Sequence, residues 1–144
     1  MSSTRVTILR IAMGLFLAAW GADKLLAVEG SVGIFARFYG VEAGPMVVRV
    51  AGIAEIALAA LLIVDWWRAP VAWAQLALNV VSAAASWRQI LDPWGLLGLT
   101  QGGTHLFLAS IVVTAASVVL VLCARDGGTP PRAPKSTTTP DTGR

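Results

Sequence analysis

The chain has 144 residues, 56% of them hydrophobic and only 13% charged, with a mean hydropathy of +0.72. So few charges cannot cover a soluble domain of this size, and the apolar residues gather into four long runs, the distribution of an integral membrane protein. The net charge of +3 does not indicate nucleic acid, because the bases stand singly at the ends of apolar runs, with no basic stripe carrying interleaved aromatics.

The first predicted span runs from about Val6 to Val28. Arg5 and Arg10 precede its apolar stretch as in a signal peptide, but Asp23, Lys24 and Glu29 replace the small-residue cleavage region, so an uncleaved span is expected. The segment Ser31 to Gly40 sets Phe35, Phe38 and Tyr39 around Arg37, a composition suited to the membrane interface or to a loop resting on helix ends. The second span, Pro45 to Val64, opens with a proline fitted to the first helical turn. Asp65-Trp66-Trp67-Arg68 reads as a short aromatic-belt turn. A third span covers Ala69 to about Ile90. Leu91 to Gly103, with Trp94 and several leucines between glycines, forms a second interfacial joint. The fourth span runs from about Thr104 to Ala124. From Asp126 to Arg144 the composition changes to proline, threonine and glycine, which predicts a disordered tail.

The fold expected is therefore all-α: a four-helix integral membrane bundle over residues 1–125, followed by the tail at 126–144. Four spans put both termini on one side of the bilayer. Arg5, Arg68, Arg125, Arg132, Lys135 and Arg144 share that side while Arg37 lies in an opposite loop, and this bias favours cytoplasmic termini.

Each span carries a stripe of small or polar residues at helical spacing. The stripes are Arg10, Gly14, Leu17, Gly21 and Lys24 in the first span and Gly52, Glu55, Ala59 and Leu62 in the second. The third has Gln75, Asn79, Ser82, Ser86 and Gln89, and the fourth Phe107, Ser110, Thr114 and Ser117. Glycines allow close helix approach, so Gly14, Gly21 and Gly52 are expected at helix-packing seams, and the hydroxyl residues read mainly as interhelical glue.

Glu55 stands ten residues into the second span. A carboxylate at such depth requires a protein environment and a partner. The helical rise brings Asn79 and Thr114 to a similar level, and Arg10 is long enough to extend inward. A Glu55–Arg10 pair with Asn79 beside it is the expected buried site, either as a ligand or proton-relay centre or as a structural ion pair.

Asp23, Lys24, Arg49, Arg88, Asp92 and His105 gather near the opposite span ends. They read as an anion or quinone-carbonyl site or, more plainly, as snorkelling end residues. One cysteine and one histidine exclude an internal disulfide, a CxxC centre and bis-histidine haem ligation within the chain. Cys123 reads as a small apolar residue, and no metal site is expected.

Leu9-Arg10-Ile11-Ala12-Met13-Gly14 followed by Gly21-Ala22-Asp23-Lys24-Leu25-Leu26 resembles the first span of the DoxX family, with its R-x-x-x-G turn and G-x-x-K-L element. Phe38-Tyr39-Gly40 and Gly52-Ile53-Ala54-Glu55 follow in the family's order, and the resemblance extends over about Val6 to Ala124. It implies a four-helix protein of the bacterial cytoplasmic membrane connected with redox physiology, since relatives include a subunit of a thiosulfate:quinone oxidoreductase and partners in thiol or oxidative-stress handling. Arg10, Gly14, Gly21, Lys24, Gly52 and Glu55 occupy the motif positions.

Three functions follow from these readings. The first is a non-catalytic accessory subunit, binding quinone or a lipid-like molecule in the service of a membrane redox partner. The second is an oxidoreductase subunit handling sulfur compounds and quinone. The third is a small transporter or channel, which with four spans would need to form a homo-oligomer. The sequence holds no haem or flavin motif, so quinone is the one cofactor considered.

Overall fold

The computed structural model describes residues 3–126, and among these there are helices and turns but no strand. Helix α1 covers Ser3–Leu26 and α2 Val28–Ile34, followed by a π-helical turn at Phe35–Tyr39. Then come α3 at Pro45–Ile63, α4 at Arg68–Ala85 and α5 at Trp87–Leu91. A 3₁₀ turn at His105–Leu108 leads into α6, Ala109–Asp126. The tail expected from Asp126 onward lies outside the described residues, apart from Asp126 itself, which ends α6.

Local chemistry sets most of these boundaries. Gly40 closes the π-helical turn at φ 65°, a left-handed conformation that glycine adopts without a Cβ penalty. Pro45 occupies the first turn of α3, where its missing N–H costs nothing. The expected third span is interrupted at Ser86. Its hydroxyl donates to the Ser82 carbonyl at 2.7 Å, and the backbone leaves helical geometry there at φ −102°, ψ 23°. A serine bonded to the carbonyl four residues back bends a helix, so what reads as one apolar run becomes α4 and the short α5.

Among the described residues, three helical stretches, Thr4–Leu26, Pro45–Ile63 and His105–Asp126, are long and apolar enough to cross a membrane. The α4 helix is not among them. It has the length, 18 residues, but Arg68, Gln75 and Asn79 dilute its apolar character. The large exposed side chains are mostly aliphatic and aromatic, including Leu15, Val50, Ile53, Ile111 and Val112. Such a surface suits hydrocarbon as solvent.

Helix α1 lies along α3 and α4 along α6, with lighter contacts joining α1 to α6 and α3 to α4. The two ends of this arrangement differ. One, called here the near end, carries Ser3, the Val64–Trp67 turn and Asp126. The other, the far end, carries the π-helical turn and the 92–104 loop. Met13, Leu62, Val71, Ala72, Leu120 and Val121 form the buried core, drawn from all four long helices and set toward the near end.

The tightest contact is the crossing of α1 over α3. A Cβ on Gly21 would stand 2.8 Å from the Gly52 carbonyl oxygen, and one on Gly52 would stand 2.7 Å from that of Gly21. Seven residues earlier, Gly14 faces the Ile63 side chain and the Ala59 carbonyl. The crossing therefore brings backbone against backbone, with dispersion and Cα–H···O contacts replacing side-chain interdigitation. Gly52→Ala is expected to cost about 1–3 kcal/mol through overpacking. Gly30→Ala, at a position with open space around it, should be near neutral. Thermal melts in detergent read both.

Candidate functional site

Two polar groups meet at the α1–α3 crossing. Lys24 Nζ donates to Glu55 Oε2 at 2.8 Å, and the two side chains are only 13% and 15% exposed. Lys24 Nζ also lies 3.4 Å from the Trp20 carbonyl oxygen and 5.8 Å from the Trp20 ring centroid. The pairing follows from helix geometry. Side chains tilt toward the N-terminus of their own helix, so on antiparallel α1 and α3 the Lys24 and Glu55 side chains lean toward each other across the glycine contact.

The expected Glu55–Arg10 pair does not form. Arg10 instead pairs with Asp65 through Nη1 and Oδ1. Its side chain leans toward the N-terminus of α1, away from the level of Glu55, and meets the turn that closes α3. Asn79, expected beside Glu55, instead donates to Ser117 Oγ at 2.7 Å, and Ser117 donates in turn to the Val113 carbonyl at 2.9 Å.

The near end holds a second ionic cluster. Asp65 accepts from Arg10 and from Arg68, whose Nε lies 2.7 Å from Oδ2. Asp65 and Trp67 both have left-handed backbone, at φ 65° and 48°. This conformation is tolerable for aspartate and costly for tryptophan. Burial alone would raise the Asp65 carboxyl, but the Arg10 and Arg68 guanidinium groups outweigh it and hold the group below its ordinary value of 3.8. Nothing in the sequence reading singled out Asp65. The available signal was an acid at the foot of one span, level with an arginine near the start of another.

Beside this cluster lies a cavity of about 380 Å³. Leu61, Leu62, Val71, Ala72 and Leu120 give it apolar walls, while Arg10, Asp65, Arg68 and Asp126 supply charge and Cys123 and Ala124 complete the α6 side. Arg10 Nε is buried there without a hydrogen-bond partner. Gln75, fully buried on α4, leaves both side-chain amide atoms unpartnered, as does Thr114 its Oγ1.

The far end is built on Asp92, 2% exposed. Its carboxylate accepts the backbone N–H of Leu99 at 2.9 Å and of Thr100 at 3.3 Å, while the Thr100 hydroxyl donates back to the Asp92 carbonyl. Burial would raise this carboxyl, but the N–H groups of Leu97, Leu99, Thr100 and Leu96 hold it low. Gly95 and Gly102, at φ 75° and 80°, let the two strands of the loop touch. Arg88 lines an open cleft there with Arg37, whereas His105 is exposed at the start of the 3₁₀ turn, outside that lining. The constellation expected from Asp23, Lys24, Arg49, Arg88, Asp92 and His105 is thus divided: Lys24 serves Glu55, Asp92 organises the loop, Arg88 faces the cleft, and Asp23 and Arg49 are exposed. Among the described residues, no three His, Cys, Asp or Glu side chains gather into a metal-binding group.

Removing one partner of the Lys24–Glu55 pair leaves a buried charge, so Lys24→Met is expected to cost about 3–5 kcal/mol. Lys24→Met combined with Glu55→Leu should recover most of that loss, as a double-mutant cycle of melts in detergent would read. Asp65→Asn is expected to cost about 2 kcal/mol at neutral pH, as for hydrogen bonds to charged groups. Because folding lowers the Asp65 pKa, this stability is complete above the ordinary value of 3.8 and disappears as pH falls through the lowered one. The wild-type and variant melting curves should therefore converge only in strong acid.

The DoxX family profile matches residues 5–87, more than half of the chain. The match contains α1, α3 and α4 with Arg10, Gly14, Gly21, Lys24, Gly52, Glu55 and Asn79. It ends at Trp87, short of the Ala124 to which the motif order extended the resemblance, so Arg88 and His105 fall outside it. No match was found among curated proteins or among solved structures. Helices of membrane-spanning length bearing the glycine crossing, over which this profile matches, make the chain a multi-pass membrane protein belonging to the DoxX family.

Proposed function

We propose that this protein is an accessory subunit of a membrane redox system that binds a quinone or similar amphiphile in the near-end cavity and presents it to a partner protein. In this reading all four long helices span the bacterial cytoplasmic membrane as one bundle, with both termini in the cytoplasm. The observation that carries the proposal is the pairing of apolar walls with an unpartnered Arg10 Nε–H in a cavity of about 380 Å³. That volume falls within the range of small-molecule sites.

The chemistry of the lining selects the ligand class. Guanidinium groups donate and do not accept. A quinone ring presents carbonyl acceptors and no donor, and its isoprenoid tail matches aliphatic walls and the surrounding hydrocarbon. Arg10 would hold a ring carbonyl, Asp65 would fix the Arg10 plane, and the aliphatic side chains would exclude water from the ring. When bound, the quinone supplies two-electron redox chemistry, and the protein's own part is binding and orientation. A partner protein is needed because the described residues contain no paired cysteines and no second redox group. The family's connection with thiol and oxidative-stress systems supports such a partnership.

The test is retention of decylubiquinone by the protein in detergent, followed by native mass spectrometry. Ala124→Phe fills the cavity while leaving every ionic residue of its lining in place. It should weaken binding at least about tenfold, a change of about 1.4 kcal/mol, at unchanged melting temperature. Equal retention by the variant and the wild type would remove the cavity as the binding site.

A further inference from the structure

The far-end cleft has no part in the proposed quinone site. It lies between the π-helical turn, the start of α5 and the 92–104 loop, and Arg37 and Arg88 face it from two separate elements. Its lining contains no carboxylate. Among the described residues neither arginine enters an ion pair, the three pairs present being Arg10–Asp65, Lys24–Glu55 and Arg68–Asp65. Each guanidinium instead rests near an aromatic ring, Arg37 at 5.7 Å from the Phe38 centroid and Arg88 at 5.4 Å from that of Trp87. Such contacts orient the planar group without using its N–H donors.

The walls of the cleft are fixed. Phe38 packs on Phe107 at 5.4 Å between centroids, which ties the π-helical turn to the 3₁₀ turn. The loop opposite is held by the buried Asp92 carboxylate on the N–H groups of Leu99 and Thr100. The Asp92 carboxylate is thus committed to backbone and is not available to neutralise the arginines. The result is a preformed cleft with two guanidinium forks, about 750 Å³ in volume. Leu96 and Leu97, in the same loop, are 83% and 69% exposed, apolar surface that fits lipid chains better than water.

We propose that this cleft binds a phosphate group, held by Arg37 and Arg88 together. Guanidinium forks match phosphate oxygens in bidentate geometry. Two sources carry that chemistry, an anionic phospholipid headgroup whose chains lie over Leu96 and Leu97, and free phosphate from the aqueous side.

The experiment is native mass spectrometry of the full chain in neutral detergent, titrated separately with phosphatidylglycerol, phosphatidylcholine and sodium phosphate. Wild type is expected to retain one phosphatidylglycerol in preference to phosphatidylcholine. Arg37→Gln and Arg88→Gln should each weaken that retention about tenfold, as expected for loss of charge-assisted hydrogen bonds. The lysine variants at the same positions keep the charge but lose the fork, and should fall between. Arg5→Gln, at the near end, is the control for net charge. Binding of inorganic phosphate with the same dependence on Arg37 and Arg88, and no preference between the two lipids, upholds the phosphate site with free phosphate as its occupant. The proposal is overturned if the arginine variants, with unchanged melting temperatures, retain each probe as wild type does. It is equally overturned if wild type retains neither phosphatidylglycerol nor phosphate.

Discussion

The contact of Gly21 with Gly52 governs much of the rest of the molecule. With no side chain between them, α1 and α3 approach to backbone distance, and the polar side chains one turn further along each helix are brought together over the crossing. Lys24 and Glu55 meet because of that approach. A residue bulkier than alanine at either glycine would separate the helices and leave two charges facing hydrocarbon, at a cost well beyond that of overpacking alone. Small residues and buried charges are therefore one device here, the first setting the distance and the second requiring it.

The polar groups are distributed over three levels. At the near end, Asp65 draws Arg10 and Arg68 to the rim of a partly apolar cavity. At the glycine crossing, Lys24 and Glu55 neutralise one another, leaving little free capacity for a ligand. At the far end, Asp92 is consumed by its loop while Arg37 and Arg88 keep theirs. Among the described residues, Asp65, Glu55 and Asp92 are each paired or hydrogen-bonded by protein groups, whereas Arg10 Nε and the Arg37 and Arg88 guanidinium groups are not. The unmet capacity is therefore for acceptors, a property shared by the two proposed ligands, quinone carbonyl and phosphate.

Much of the helical architecture was legible in the sequence because a long apolar run leaves few alternatives to a helix in a membrane. The first two expected spans differ from α1 and α3 by no more than a few residues at either end, and the family was readable from glycine and charge spacing. The ion pairs were less legible. Depth counted from Cα positions placed Arg10 and Glu55 within reach, but the tilt of side chains along antiparallel helices separates those two and joins Lys24 to Glu55 instead. The break at Ser86 was also hidden, since serine is common within membrane helices and only its bond to the Ser82 carbonyl distinguishes a bend. Asp65 was read as part of a turn because its role depends on a left-handed backbone that no sequence pattern announced.

In the four-span arrangement proposed above, the break at Ser86 would also shape the surrounding bilayer. Helix α4 stops after 18 residues, about 27 Å at the usual rise, and its first residue is a charged arginine. Its apolar length therefore falls short of a hydrocarbon layer about 30 Å thick, while α1, with 24 residues, exceeds it. One flank of such a bundle would be shallow and the other deep. The membrane can meet this difference by thinning beside α4, or the leucine-bearing loop after α5 can sink into the missing depth. Either way the bilayer around such a four-span bundle would be asymmetric.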